Sequence, residues 1–251
     1  MSALGLATHE LRTLLLSPLA WVLLALSQVM LGWSFILQLW GFERLAPQLE
    51  GMAGAPGITA IVAAPVLRNA AVVLLFLVPL LTMRSIAEER RSGSIALLLS
   101  SPVTVTTVVL GKFLGAVGFV TLMLLSALLL PLSLLLGSTL DLGLVACAAL
   151  GVLMLGATAC AIGLLLSSLT ESPPVAAALT LGALLLLWAL DEASGADGAA
   201  GAVVGWLSLA NHLEGWLRGV ADSRDAAYFG LLGGGALALT IRRLDALRTI
   251  G

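Results

Sequence analysis

Residues 113–140 read FLGAVGFVTLMLLSALLLPLSLLLGSTL, with Lys112 before them, Asp141 after them, and no Asp, Glu, Lys or Arg between. A helix needs about 20 apolar residues to cross a hydrocarbon core of roughly 30 Å, so this run is long enough to span a bilayer. Residues 13–42, 142–170 and 172–190 are likewise free of those four residue types. Shorter apolar runs at 69–83 and 226–241 extend into apolar flanks. The chain of 251 residues is 60% hydrophobic and 10% charged, where an ordinary globular domain is about a quarter charged. Its mean hydropathy of +1.10 agrees.

Lipid cannot satisfy free backbone N–H and C=O groups, so apolar spans must be helices or closed barrels. These runs are too long and too uniformly apolar for barrel strands, which alternate over about ten residues. The expected fold is an all-α membrane protein with six transmembrane helices at about 18–41, 64–84, 105–136, 142–168, 173–191 and 226–242. All 251 residues form one domain. Leu4, Ala7, Leu11, Leu14 and Leu15 recur at helical spacing and predict an interfacial amphipathic helix over 4–17, with Pro18 turning the chain into the membrane.

Cationic residues set orientation. With both termini cytoplasmic, the inside holds Arg12, Arg84, Arg90, Arg91, Lys112, Arg242, Arg243 and Arg248, against Arg44, Arg68, Arg218 and Arg224 outside, eight against four. The net charge of −2 gives no basic surface for nucleic acid. Cys147 and Cys160 lie roughly 20 Å apart along one helix and cannot bridge each other. The first apolar run is too long for a signal peptide.

Chemistry is sparse. No phosphate-binding loop, His-Glu-x-x-His or Gly-x-Ser-x-Gly pattern occurs, so ATP binding, a metal site and a hydrolase elbow are not expected. His9 and His212 would lie on opposite sides of the membrane. The span centres carry no ionisable residues, whereas ion-coupled carriers keep such groups as relays. Energy for transport must therefore enter elsewhere. Ser27, Ser34 and Gln38 share one face of the first span; that face could line a cavity or a subunit interface, or serve simple helix–helix hydrogen bonding. Gly111/Gly115, Gly201/Gly205 and Gly230/Gly234 match the small-xxx-small pattern of close helix packing. Residues 203–219 are half apolar and carry Trp206, His212, Glu214, Trp216 and Arg218. They predict an outer re-entrant or interfacial segment with its tryptophans at headgroup level.

The polar break after the second span is the place where energy could enter. Glu88, Glu89, Arg90 and Arg91 make a charged helix end, Gly93 permits a sharp break, and Ser94 is a good N-cap. Ile95, Leu98 and Leu99 form one apolar face, and Pro102 stops the helix. A short surface helix of this kind can plug into a groove of a soluble partner.

Met83-Arg84-x-x-x-Glu88-Glu89-Arg90-Arg91-Ser92-Gly93-Ser94-Ile95-x-x-Leu98-Leu99-x-x-Pro102-Val103, followed by Leu110-Gly111-Lys112, resembles the coupling-helix region of ABC transporter type-2 permeases. Glu10-Leu11 followed by Ser17-Pro18-Leu19-Ala20 is similar to the connecting helix and start of the first span in that family. Residues 207–229, with Leu207, His212, Glu214, Arg218, Asp222 and Tyr228, resemble the region before the last span in its gliding-motility-like branch. Ala96 stands where the family usually has an acidic residue, which bears on one polar contact to the ATPase and not on the helix itself.

The resemblance implies an exporter-type permease in the bacterial inner membrane, not itself an enzyme. It would work as a dimer with a second, identical or related, permease chain, with auxiliary subunits possible and lipid around it. Each chain would dock on a separate ATP-binding-cassette ATPase, which would hold ATP and magnesium. Residues 94–101 would be the coupling helix and 203–219 the re-entrant helices. The rival expectation is a non-transporting scaffold or mechanotransmission subunit driven by the same ATPase.

Overall fold

A computed structural model describes residues 3–49, 57–92, 104–193 and 204–250. Among them there is no strand. The helices are α1 (Ala3–Leu16), α2 (Pro18–Leu49), α3 (Ala64–Thr82), α4 (Ala87–Arg91), α5 (Val105–Leu132), α6 (Leu142–Leu169), α7 (Pro173–Ala193), α8 (Leu209–Leu217) and α9 (Ser223–Ile250). A π-helical turn, Thr59–Ala63, leads into α3, and a 3₁₀ turn, Ser133–Leu136, follows α5. Five stretches are long and apolar enough to cross a membrane: Pro18–Gln48, Thr59–Arg91, Val105–Leu136, Leu142–Leu169 and Pro173–Asp191. The chain is thus an all-α membrane protein. The α9 helix is long, but four glycines at 230 and 233–235 and the flanking charges Asp225, Arg242 and Arg243 dilute its apolar stretch.

Local chemistry fixes the helix starts. Pro18 and Pro173 occupy first positions, where the missing N–H has no intrahelical partner to lose. The Asp141 carboxylate accepts from the Gly143 and Leu144 amides at 2.9 and 3.1 Å, capping α6. Thr104 caps α5 and Ser208 caps α8 in the same way. The α2 helix runs eight residues past the expected end of the first span at 41, because Glu43, Arg44, Leu45, Ala46 and Gln48 are good helix formers. The tail beyond 242 continues α9 as helix.

The most buried span is α6, packed by α3, α5, α7, α8 and α9. Its glycines permit this close approach. A Cβ on Gly163 would overlap Thr82 of α3, one on Gly156 would lie 2.7 Å from Val120 of α5, and one on Gly151 would lie 2.5 Å from Trp216 of α8. Phe119, Leu67, Leu74, Leu75 and Leu155 form the fully buried centre. By contrast α2 turns Trp21, Val29, Trp33 and Trp40 outward, an apolar face that the described residues do not cover.

Candidate functional site

The polar groups gather at the two ends of the bundle. At the α4 end, Lys112 near the start of α5 is buried. Its Nζ donates to Glu10 Oε1 on α1 at 2.9 Å and to Glu89 Oε1 on α4 at 2.7 Å. A buried ammonium needs paired oxygens to offset its lost hydration, and these carboxylates arrive from two other helices. Two glycines let α1 come this close. A Cβ on Gly111 would lie 2.6 Å from Leu6, and one on Gly115 would lie 2.7 Å from the Glu10 Cβ. The Gly111-x-x-x-Gly115 pattern therefore packs α1 against α5 within one chain.

The other flank of α4 is held by α6 and the turn after it. Arg90 donates from Nη1 to the Ser168 carbonyl at 2.6 Å and from Nη2 to Glu171 Oε1 at 3.1 Å. Ser167 Oγ accepts from the Ile86 and Ala87 amides at 3.2 and 3.1 Å and donates to the Met83 carbonyl at 3.2 Å. The backbone leaving α3 breaks its helix at 83–86, and Ser167 supplies the hydrogen bonds the break removes. Glu88 only meets Arg84, at 3.7 Å across the exposed surface. Of the expected coupling residues, Glu88, Glu89 and Arg90 are thus placed; Gly93, Ser94, Ile95, Leu98, Leu99 and Pro102 lie outside the described residues.

At the opposite end, 204–207 is a short helical stretch, and Ser208 then caps α8. His212 is buried, with Nδ1 at 2.7 Å from Asp225 Oδ1 and Nε2 at 2.9 Å from the Trp206 carbonyl. A carbonyl can only accept, so Nε2 carries hydrogen and the carboxylate faces the other ring nitrogen. Tyr228 stacks on the imidazole at 3.9 Å between centroids and donates its hydroxyl to the Leu207 carbonyl at 2.7 Å. Trp206 meets both rings edge-on. Glu214 Oε1 accepts from Arg218 at 3.2 Å, and Glu214 Oε2 lies 3.7 Å from Arg68 of α3. Trp206 is half-exposed, whereas Trp216 is buried against Gly151, which leaves room for its ring.

The Ser27/Ser34/Gln38 face is engaged in packing. Ser27 is fully buried and returns its hydroxyl to the Leu24 carbonyl at 2.7 Å. Ser34 Oγ accepts from Asn69 of α3 at 2.6 Å. Gln38 is half-buried. The neighbouring Gln28 donates to Ser126 of α5 at 2.6 Å.

Sequence reasoning placed Glu10 and Lys112 in motifs but did not pair them, and it missed Ser167, Glu171 and Asp225 as partners. One signal was available. Lys112 borders a 28-residue run without charge, and a cation at such a boundary needs a local counter-ion.

The family model for ABC-2 family transporter proteins matches residues 4–198, and the chain belongs to that family. It is accordingly an integral membrane permease component of an ABC transporter, a transport subunit whose implied partner is an ABC ATPase. No curated protein matches the chain.

Proposed function

We propose that this ABC-2 permease is the exporter-type, six-span subunit of a bacterial inner-membrane transporter, with α9 as sixth span and both termini cytoplasmic. It pairs with a second permease chain, identical or related, and belongs to the gliding-motility-like branch. Residues 94–101 are its coupling helix, seated in an ATPase that holds ATP and magnesium; 203–219 close the outer mouth. The observation that carries this reading is the clamping of α4 from two sides. The chain enters 93–103 from α4, whose Glu89 is tied to α1 and α5 and whose Arg90 is tied to the α6–α7 turn. A push on the coupling segment would therefore reach four helices through short polar contacts rather than through one flexible loop. Uncharged span centres leave no internal ion relay to supply the energy instead.

One observation favours the rival scaffold function: the Ser27 and Ser34 hydroxyls already take part in hydrogen bonds within the bundle. Both readings need the coupling segment. Leu98→Asp puts a charge on its apolar face, and copurification with the cognate ATPase should fall at least about tenfold, the scale of one desolvated charge in a hydrophobic contact. Full copurification with unchanged ATPase stimulation would remove 94–101 from the interface.

A further inference from the structure

The end opposite α4 carries a cleft of about 290 Å³ lined by Ala60, Ala64, Pro65, Arg68, Leu144, Glu214, Leu217 and Arg218. We propose that this cleft binds the anionic headgroup of a membrane phospholipid, with Arg68 and Arg218 as its phosphate ligands and Glu214 as a competing internal anion. The proposal draws on the membrane-embedded fold and not on the ATPase coupling.

Three observations converge. The first is charge. Two guanidiniums face a single carboxylate, and the Arg68–Glu214 separation of 3.7 Å is too long for a hydrogen bond. The N–H donors of Arg68 are therefore not spent on Glu214, and its side chain is 52% exposed. Three nearby carboxylates have other hydrogen-bond partners and form no ion pair with these two guanidiniums among the described residues. Asp141 accepts from the Gly143 and Leu144 amides, Asp225 faces His212, and Asp222 accepts from the Arg224 amide. A planar guanidinium matches phosphate oxygens in a two-pronged arrangement.

The second observation is shape and place. The walls are small or apolar, from Ala60, Ala64, Pro65, Leu144 and Leu217. Ala60, Ala64, Pro65 and Leu144 lie where α3 and α6 begin and Leu217 where α8 ends, which puts the cleft at an end of the bundle and not at its middle. Its volume is at the floor of the about 300–1,000 Å³ typical of small-molecule sites, enough for a headgroup whose tails stay in lipid. Guanidiniums at the rim of an apolar cleft can hold a headgroup phosphate while the acyl tails stay in the bilayer.

The third is the wall itself. Ala60 projects from the π-helical turn Thr59–Ala63, which is anchored by Thr59 Oγ1 accepting from the Asp141 amide at 2.9 Å. A π-turn widens the helix by one residue and often marks a binding site; here it contributes the wall facing Arg68.

The test uses the full chain in detergent, titrated with dioleoyl phosphatidylglycerol and followed by native mass spectrometry. Arg68→Gln combined with Arg218→Gln should weaken retention about tenfold, and Glu214→Gln should tighten it several-fold by removing the competing negative charge beside both guanidiniums. Opposite signs from neighbouring substitutions cannot arise from a general loss of fold. Dioleoylglycerol, which has the tails without the phosphate, should bind no better to the parent than to the double variant. Equal retention by all variants, or tightening absent from Glu214→Gln, overturns the proposal. Displacement of the lipid by millimolar inorganic phosphate would overturn its lipid assignment in favour of a water-soluble anion.

Discussion

The two ends of the bundle are both held by polar contacts, but the contacts differ in reach. At the α4 end the partners are far apart in sequence: Lys112 and Glu10 by 102 residues, Arg90 and Glu171 by 81, Arg90 and Ser168 by 78. At the other end the closely spaced pairs dominate, His212 and Asp225 by 13, His212 and Trp206 by 6, Tyr228 and Leu207 by 21, with two long-range ties beside them, the Asp141 amide to Thr59 across 82 residues and the loose 3.7 Å Arg68–Glu214 contact. Long-range bonds lock separate helices into one block, so a displacement there is shared. Short-range bonds order one segment and leave its tie to the rest mainly to packing, chiefly Trp216 in the notch at Gly151, and to the exposed Arg68–Glu214 contact. Under the proposed coupling through 94–101, the difference would let force be shared at one end while the other end opens.

The largest effect that would break this contrast comes from Lys112→Met. It leaves Glu10 and Glu89 facing each other, each only 26% exposed, with no cation between them. Removing one partner of a buried pair costs about 3–5 kcal/mol. A marked fall in thermal stability is expected, together with loss of most ATPase association. Adding Glu10→Gln and Glu89→Gln removes the uncompensated charges and should restore much of the stability, while coupling stays impaired because α1 and α4 are no longer joined. A single variant that docks and stimulates the ATPase like the parent protein would show that the α4 end is not a block.

The same contrast explains what the sequence made legible. Spans announced themselves because their signal is local: an uncharged run of about 20 residues needs no knowledge of neighbours. The helical character of 204–217 was likewise legible, and the Glu214–Arg218 pair lies one turn apart, but Asp225 as the partner of His212 and Arg68 as a neighbour of Glu214 were not. Glu89 and Arg90 stood out as a charged helix end, yet their partners on α1, α5 and the α6–α7 turn could not be chosen among the chain's acids and bases without the fold. Helix ends erred for a related reason. Residues 42–49 lie beyond the apolar run, so hydropathy placed them in a loop, while their helix propensity continued α2. The burial of Trp216 was not legible because its pocket is made by a glycine 65 residues earlier in sequence.

A middle-sized effect should come from His212→Leu. Leucine fills the space under Tyr228 but leaves the Trp206 carbonyl without its donor and the Asp225 carboxylate, 17% exposed, without its partner. Unmet buried groups cost about 1–3 kcal/mol each. Loss of order in the 204–217 hairpin, read by limited proteolysis or hydrogen exchange, is expected with ATPase copurification unchanged. Loss of docking from this substitution would mean that the two ends are rigidly joined and that reach in sequence does not predict reach in effect.

The smallest effect sharpens the comparison within a single segment. Arg84 and Arg90 lie six residues apart and each has a carboxylate partner. The Arg84–Glu88 pair is 3.7 Å apart with side chains 60% and 57% exposed, whereas Arg90 is 14% exposed and also donates to a backbone carbonyl at 2.6 Å. Water screens the first pair and competes for it, so Arg84→Ala should change stability by no more than about 0.5 kcal/mol. Arg90→Ala removes hydrogen bonds made by a charged donor and should cost about 1.5–3 kcal/mol. Moderate salt should erase the Arg84 effect and leave most of the Arg90 effect, because screening acts mainly on exposed charges. Equal losses in paired thermal unfolding curves would mean that charge alone, and not its burial between α4 and the α6–α7 turn, sets the strength of this end.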